Sequence, residues 1–132
     1  MKHGQKGFTM IELIVVIVIL GILAATALPK FVDMRSEASL ASTQGVAGAA
    51  GSAMTINYAA CAAANFPTTA TAKCAIVTQC SDAAGLLQGD ALPTGYSITG
   101  SISGTQVGAT ATCTVNGPNS QSATFTGIRT GV

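Results

Sequence analysis

Two sets of residues in this chain carry chemistry by their type and spacing. One is a lone carboxylate, Glu12, set in a run that is otherwise free of charge from residue 8 to residue 28; the other is four cysteines, Cys61, Cys74, Cys80 and Cys113. A charged residue in a membrane-spanning helix costs ~2.5–3.5 kcal/mol on insertion scales, so its presence marks a function. The chemistry open to Glu12 is charge pairing, because a carboxylate and an amine enter an apolar bundle more cheaply together than alone. The cysteines are open to disulfide formation or to metal binding. No C-x-x-C pair occurs among them and the sole histidine is His3, which disfavours a zinc site. The acids form no paired arrangement for acid–base work, so neither catalysis nor a cofactor is expected.

The elements that must position these residues follow from the same string. Residues 8–28 form a charge-free stretch broken only by Glu12, long enough to span a bilayer. Lys2 and Lys6 flank it on the amino-terminal side, which by the positive-inside rule leaves the amino terminus in the cytoplasm and the bulk of the chain outside. That side is oxidising, so two disulfides are the expected use of the cysteines, each contributing ~2–4 kcal/mol to a small core. Three pairings are open. The preferred one is Cys61–Cys74 with Cys80–Cys113, the first tying the end of the helix to the following loop and the second tying that loop to the sheet.

The helical pattern continues through Lys30, Asp33, Arg35 and Glu37 into an alanine-rich stretch ending near Ala64, about 85 Å if unbroken at 1.5 Å per residue. Phe31, Met34, Ala38, Ala41, Gly45 and Val46 are expected to begin a stripe that seats its second half on a sheet. Gly21 weakens the helix, and Pro29 lacks an amide donor and crowds the carbonyl of Ala25, predicting a bend or loosened turn there. Small residues recur every four positions at Gly45, Ala49 and Ala53, and at Gly21 and Ala25, a spacing that permits close helix approach or close packing under a sheet.

After Ala64 the composition turns to loop. Ser81 is expected to cap a short turn over residues 82–87. Strands follow, with Tyr96, Ile98 and Ile102 on one face of the first, Val107, Ala109, Ala111, Cys113 and Val115 alternating in the second, and Ala123 and Phe125 opening a third. Ser103-Gly104 and Asn116-Gly117-Pro118-Asn119 supply turns, so an antiparallel meander covering the helix between Phe31 and Ala60 is predicted. The fold class is α+β.

The short basic leader, the Gly7/Phe8 junction, the apolar start and Glu12 five positions after the junction together resemble the class III signal of type IV pilins. The resemblance implies cleavage by a membrane-embedded prepilin peptidase between Gly7 and Phe8 and methylation of the new amino terminus at Phe8. It assigns Glu12 to assembly, paired with the Phe8 amine of a neighbouring subunit, and makes residues 21–28 the segment that loses helicity in a filament. Residues 1–7 are then a leader, 8–30 a transmembrane and filament-core helix, and 31–132 a globular head, together the ladle-shaped pilin fold. Residues 27–31 (Ala-Leu-Pro-Lys-Phe) and Asp33-Met34-Arg35 also resemble the mannose-sensitive haemagglutinin group of major pilins. An ordinary secretory signal cut at Ala24-Ala25-Thr26-Ala27 is the competing reading, and the length of the run counts against it.

Removing the leader takes Lys2 and Lys6 away, leaving four basic against five acidic residues and no basic surface for nucleic acid. The implied function is that of a major pilus subunit: a homopolymer made with the assembly machinery and minor pilins, held in the inner membrane before export and serving adhesion, surface motility or DNA uptake. Asp33, Arg35 and Glu37 are candidates for salt bridges between subunits, against the plainer reading of a solvated face. The alternatives are a type II secretion pseudopilin, a minor pilin, and a membrane-anchored periplasmic interaction domain that needs neither cleavage nor Glu12. Major pseudopilins often carry an acidic calcium-binding loop near the carboxy terminus, whereas this chain has no acid after Asp90.

Overall fold

A computed structural model describes Gly4 and residues 6–131; Lys2 and His3 of the expected leader lie outside the described residues. One long helix, α1 (Met10–Ala63), is followed by a 3-10 helix (Cys80–Leu86) and by strands β1 (Ser97–Thr99), β2 (Thr110–Asn116) and β3 (Ser122–Ile128). The strands form one antiparallel sheet in the order β1-β2-β3. This is an α+β layout consistent with the pilin fold. The chain divides into two compact units, Met1–Arg35 and Ser36–Val132.

In the first unit α1 runs without interruption through Gly21 and includes Pro29. Among the described residues its large apolar side chains lie open: Ile11, Leu13, Ile14, Val15 and their larger successors to Leu28 are exposed, and Ala27 is half-buried. The most apolar 18-residue stretch of α1 has a mean hydropathy of 2.8 and is wholly unburied, and the helix is long and apolar enough to cross a membrane. Thr26 would be a polar intruder there, but its hydroxyl donates to the carbonyls of Leu23 (3.0 Å) and Ile22 (3.4 Å), so its own helix satisfies it.

In the second unit the buried positions of α1 are Thr43, Ala47, Ala50, Met54, Asn57 and Cys61. They alternate steps of four and three, which keeps them on one face of a helix. This corrects the expected stripe. Phe31 and Met34 are exposed (68% and 62%), and Ala38, Ala41 and Gly45 are exposed too, while Val46 is half-buried. Within the second unit, what meets the helix at Ser36 and Ser39 is the β2–β3 connection rather than a strand. There Asn119 Nδ2 donates to Ser39 Oγ (2.7 Å) and Gln121 Nε2 to Ser36 Oγ (3.2 Å), so hydroxyls rather than apolar side chains meet the turn.

The helix closes cleanly. The amide of Phe66 returns to the carbonyl of Cys61 (2.8 Å), with Asn65 and Phe66 at positive φ. The 3-10 helix is not capped by Ser81 as expected. Instead Asp82 reaches back, its Oδ2 accepting from the amides of Thr78 (2.8 Å) and Gln79 (3.1 Å), the residues just before the helix starts.

The strands are shorter than their apolar alternation predicts. β1 stops at Thr99 because Gly100 adopts φ +118, and Ile102, though buried, sits outside the strand. Val107 likewise lies in the connection rather than in β2. Within β2 the expected alternation holds: Cys113 and Val115 are buried while Thr110 and Thr112 face solvent. Cys113 pairs with Phe125 and Ala111 with Gly127 across the ladder. Glycine is required at 127, since a Cβ there would stand 2.5 Å from Cys113 Sγ. Met54, Val77, Val115, Ile102 and Phe125 are the larger members of a core in which four of the twelve buried apolar residues are half-cystines. So small a core depends on its cross-links.

Candidate functional site

Glu12 is brought together with Thr9 at the start of α1. The Thr9 amide donates to Glu12 Oε2 (2.8 Å) and the Glu12 amide donates to Thr9 Oγ1 (3.3 Å). This is the reciprocal exchange of a capping box, with the threonine as N-cap and the glutamate at the third helical position. The carboxylate therefore satisfies an orphan donor of the helix and opposes the positive end of its dipole. The signal was legible in Thr9-Met10-Ile11-Glu12, a T-x-x-E string, but reading Glu12 only as a group for a neighbour passes over it. Around the carboxylate Phe8, Ile11, Leu13, Val15 and Val16 line an apolar recess.

Phe8 is 92% exposed, and Gly7 is exposed beside it with open space where a side chain would stand. Among the described residues no packed structure covers the Gly7–Phe8 bond. Gly21 also has nothing within 4 Å of where a Cβ would be, so no contact within the chain demands glycine there. Lys30, Asp33, Arg35 and Glu37 all face solvent.

The four cysteines form Cys61–Cys74 and Cys80–Cys113, with Cα atoms 4.7 Å and 5.6 Å apart. The first joins the last turn of α1 to the loop and the second joins the 3-10 helix to β2. Among the described residues no group of three or more His, Cys, Asp or Glu is gathered as a metal site would need.

Two polar residues beside the first bridge escaped the sequence reading. Asn57, 8% exposed, donates through Nδ2 to the Ala75 carbonyl (2.8 Å) and accepts through Oδ1 from the Ala75 amide (2.9 Å). Thr130, 1% exposed, donates to the Ala75 carbonyl (2.9 Å) and accepts from the Val77 amide (2.8 Å). No local signal marks either one, since each partner lies 18 or more residues away.

Residues 2–28 match the family of the prokaryotic N-terminal methylation motif. The chain therefore carries a type IV pilin-like prepilin signal of class III, on a fold consistent with the pilin architecture. No curated protein and no solved structure matches the chain. The motif implies processing by a prepilin peptidase and assembly into pili, and with the apolar helix it is consistent with membrane anchoring before assembly.

Proposed function

We propose that this chain is the major structural subunit of a type IV pilus, cut between Gly7 and Phe8, methylated at Phe8 and polymerised through the amino-terminal half of α1. The observation that carries the reading is the methylation motif joined to a helix whose large apolar side chains from Met10 to Leu28 are exposed in the single chain. Outside a bilayer that surface must be covered, and identical neighbours offer an equally apolar one. Contacts of this kind are head-to-tail and do not close into a ring, so they propagate as a helical filament.

Glu12 then serves twice. One of its oxygens accepts from the Thr9 amide within the chain, which leaves the other for the Phe8 amine of a neighbour. Pairing removes the penalty of carrying either charge into the filament core alone. The segment 21–28 is where we place the loss of helicity on assembly, with Pro29 bounding it. The resemblance of residues 27–31 and of Asp33-Met34-Arg35 to the mannose-sensitive haemagglutinin group makes that group of major pilins the narrower assignment.

The test is electron microscopy of fibres sheared from producing cells, with mass spectrometry of their dominant subunit. Long fibres built of a chain that begins at methylated Phe8 support the proposal. Processed protein held in the cell envelope without fibres replaces it with a pseudopilin or minor pilin, and an unprocessed amino terminus overturns it.

A further inference from the structure

The backbone from Cys74 to Thr78 is gripped from two sides. From α1, Asn57 pairs with both polar groups of Ala75. From the chain end, Thr130 bridges the Ala75 carbonyl and the Val77 amide through its hydroxyl. The amides of Thr130 and Gly131 both donate to the Val77 carbonyl (3.1 Å each), and Arg129 Nη1 donates to the Thr78 carbonyl (3.0 Å). The Ala75 carbonyl at the centre lies 3.7 Å from Cys61 Sγ and 3.9 Å from Cys74 Sγ. Both half-cystines are buried, at 0% and 1% exposure.

We propose that residues 129–131 are a strap that controls access of thiols to the Cys61–Cys74 disulfide. Reduction begins when an external thiolate attacks one sulfur in line with the S–S bond, forming a mixed disulfide and releasing the other sulfur as a cysteine thiolate. With dithiothreitol the second thiol of the reagent, as its thiolate, then attacks its own sulfur in the mixed disulfide. The reagent leaves as a cyclic disulfide, two electrons having passed to the cystine, and both cysteine thiolates take up protons from water. Both half-cystines are buried, and the Ala75 carbonyl, held beside the S–S bond at 3.7 Å and 3.9 Å from its two sulfurs, has to shift before an external thiolate reaches the bridge. Opening needs the local release of the strap together with a shift of Ala75 on its bonds to Asn57, at a free energy below that of global unfolding. Among the described residues no hydrogen bond runs from the strap to Cys80 or Cys113 themselves, so the Cys80–Cys113 bridge serves as the reference for the rate ratio. This inference is independent of the pilus reading.

The experiment is reduction of the full chain by dithiothreitol, with freed cysteines trapped by iodoacetamide and quantified peptide by peptide. Thr130→Val keeps the shape and removes the hydroxyl that donates to Ala75 and accepts from Val77. It is expected to speed reduction of Cys61–Cys74 about tenfold relative to Cys80–Cys113, a factor equivalent to about 1.4 kcal/mol. Thr130→Ser restores the hydroxyl and is expected to bring the rate back to within about twofold of the parent. Equal acceleration of both bridges, no acceleration, or failure of serine to restore protection each overturns the proposal. Should Thr130→Val not fold, Arg129→Met decides. A selective acceleration of about threefold, from loss of its bond to Thr78, supports the strap, and unchanged rates overturn it.

Discussion

Glu12 and Asn57 are two polar side chains used in opposite ways. Glu12 stands on an exposed apolar helix and, on the proposed reading, acts between copies as well as capping Thr9, so Glu12→Ala is expected to leave a stable precursor in the membrane while abolishing incorporation into fibres. Immunoblots of envelope and sheared fractions check this, and fibres formed at parental levels would refute the assembly role. Asn57 acts wholly within the chain. Asn57→Ala leaves the Ala75 amide without its acceptor, while the Ala75 carbonyl keeps Thr130. The expected loss is ~1–3 kcal/mol, read as a lower urea midpoint at unchanged slope. Glu12 was legible from sequence because an acid in an apolar run is anomalous without any structure. An asparagine in an alanine-rich helix is not anomalous, and only its partner 18 residues away gives it a role.

At the scale of elements, the two bridges close loops of different length, with sequence separations of 13 and 33. If the constraint on the unfolded chain dominates, the longer loop gives the larger stabilisation, by about 0.8 kcal/mol. The pair Cys80→Ala with Cys113→Ala is therefore expected to destabilise the chain by ~2–5 kcal/mol and by more than Cys61→Ala with Cys74→Ala. Urea unfolding of the two variants decides, and the reverse order would show that packing around the sulfurs outweighs loop entropy. α1 carries a second element-level expectation. Gly21→Ala with Pro29→Ala favours helix by up to ~1 and ~3 kcal/mol at the two sites. Amides of residues 21–28 in assembled fibres are then expected to exchange more slowly than in the parent. Unchanged exchange there would count against a helix that melts on assembly.

The whole molecule separates assembly from folding. The unit Ser36–Val132 contains the core, the sheet and both bridges, whereas the described part of Met1–Arg35 exposes its large apolar side chains. Blocking the cut with Gly7→Leu is expected to leave an intact head and a membrane-held precursor that yields no fibres. Mass spectrometry of the amino terminus together with fibre counts checks it. The sequence by itself determined the long helix, its apolar half, the acid within it, the methylation signal and the α+β order of elements. Each is written in contiguous residues through periodicity, hydropathy or local motif. Only the tertiary structure decided which helical positions are buried, where strands end, and that Asn57 and Thr130 share the Ala75 carbonyl. In a stretch rich in alanine and glycine every face is equally apolar, so register against the sheet is set by close approaches such as Gly51 to Phe125 and by the polar turn at Asn119 and Gln121, contacts made across the fold and not along the chain.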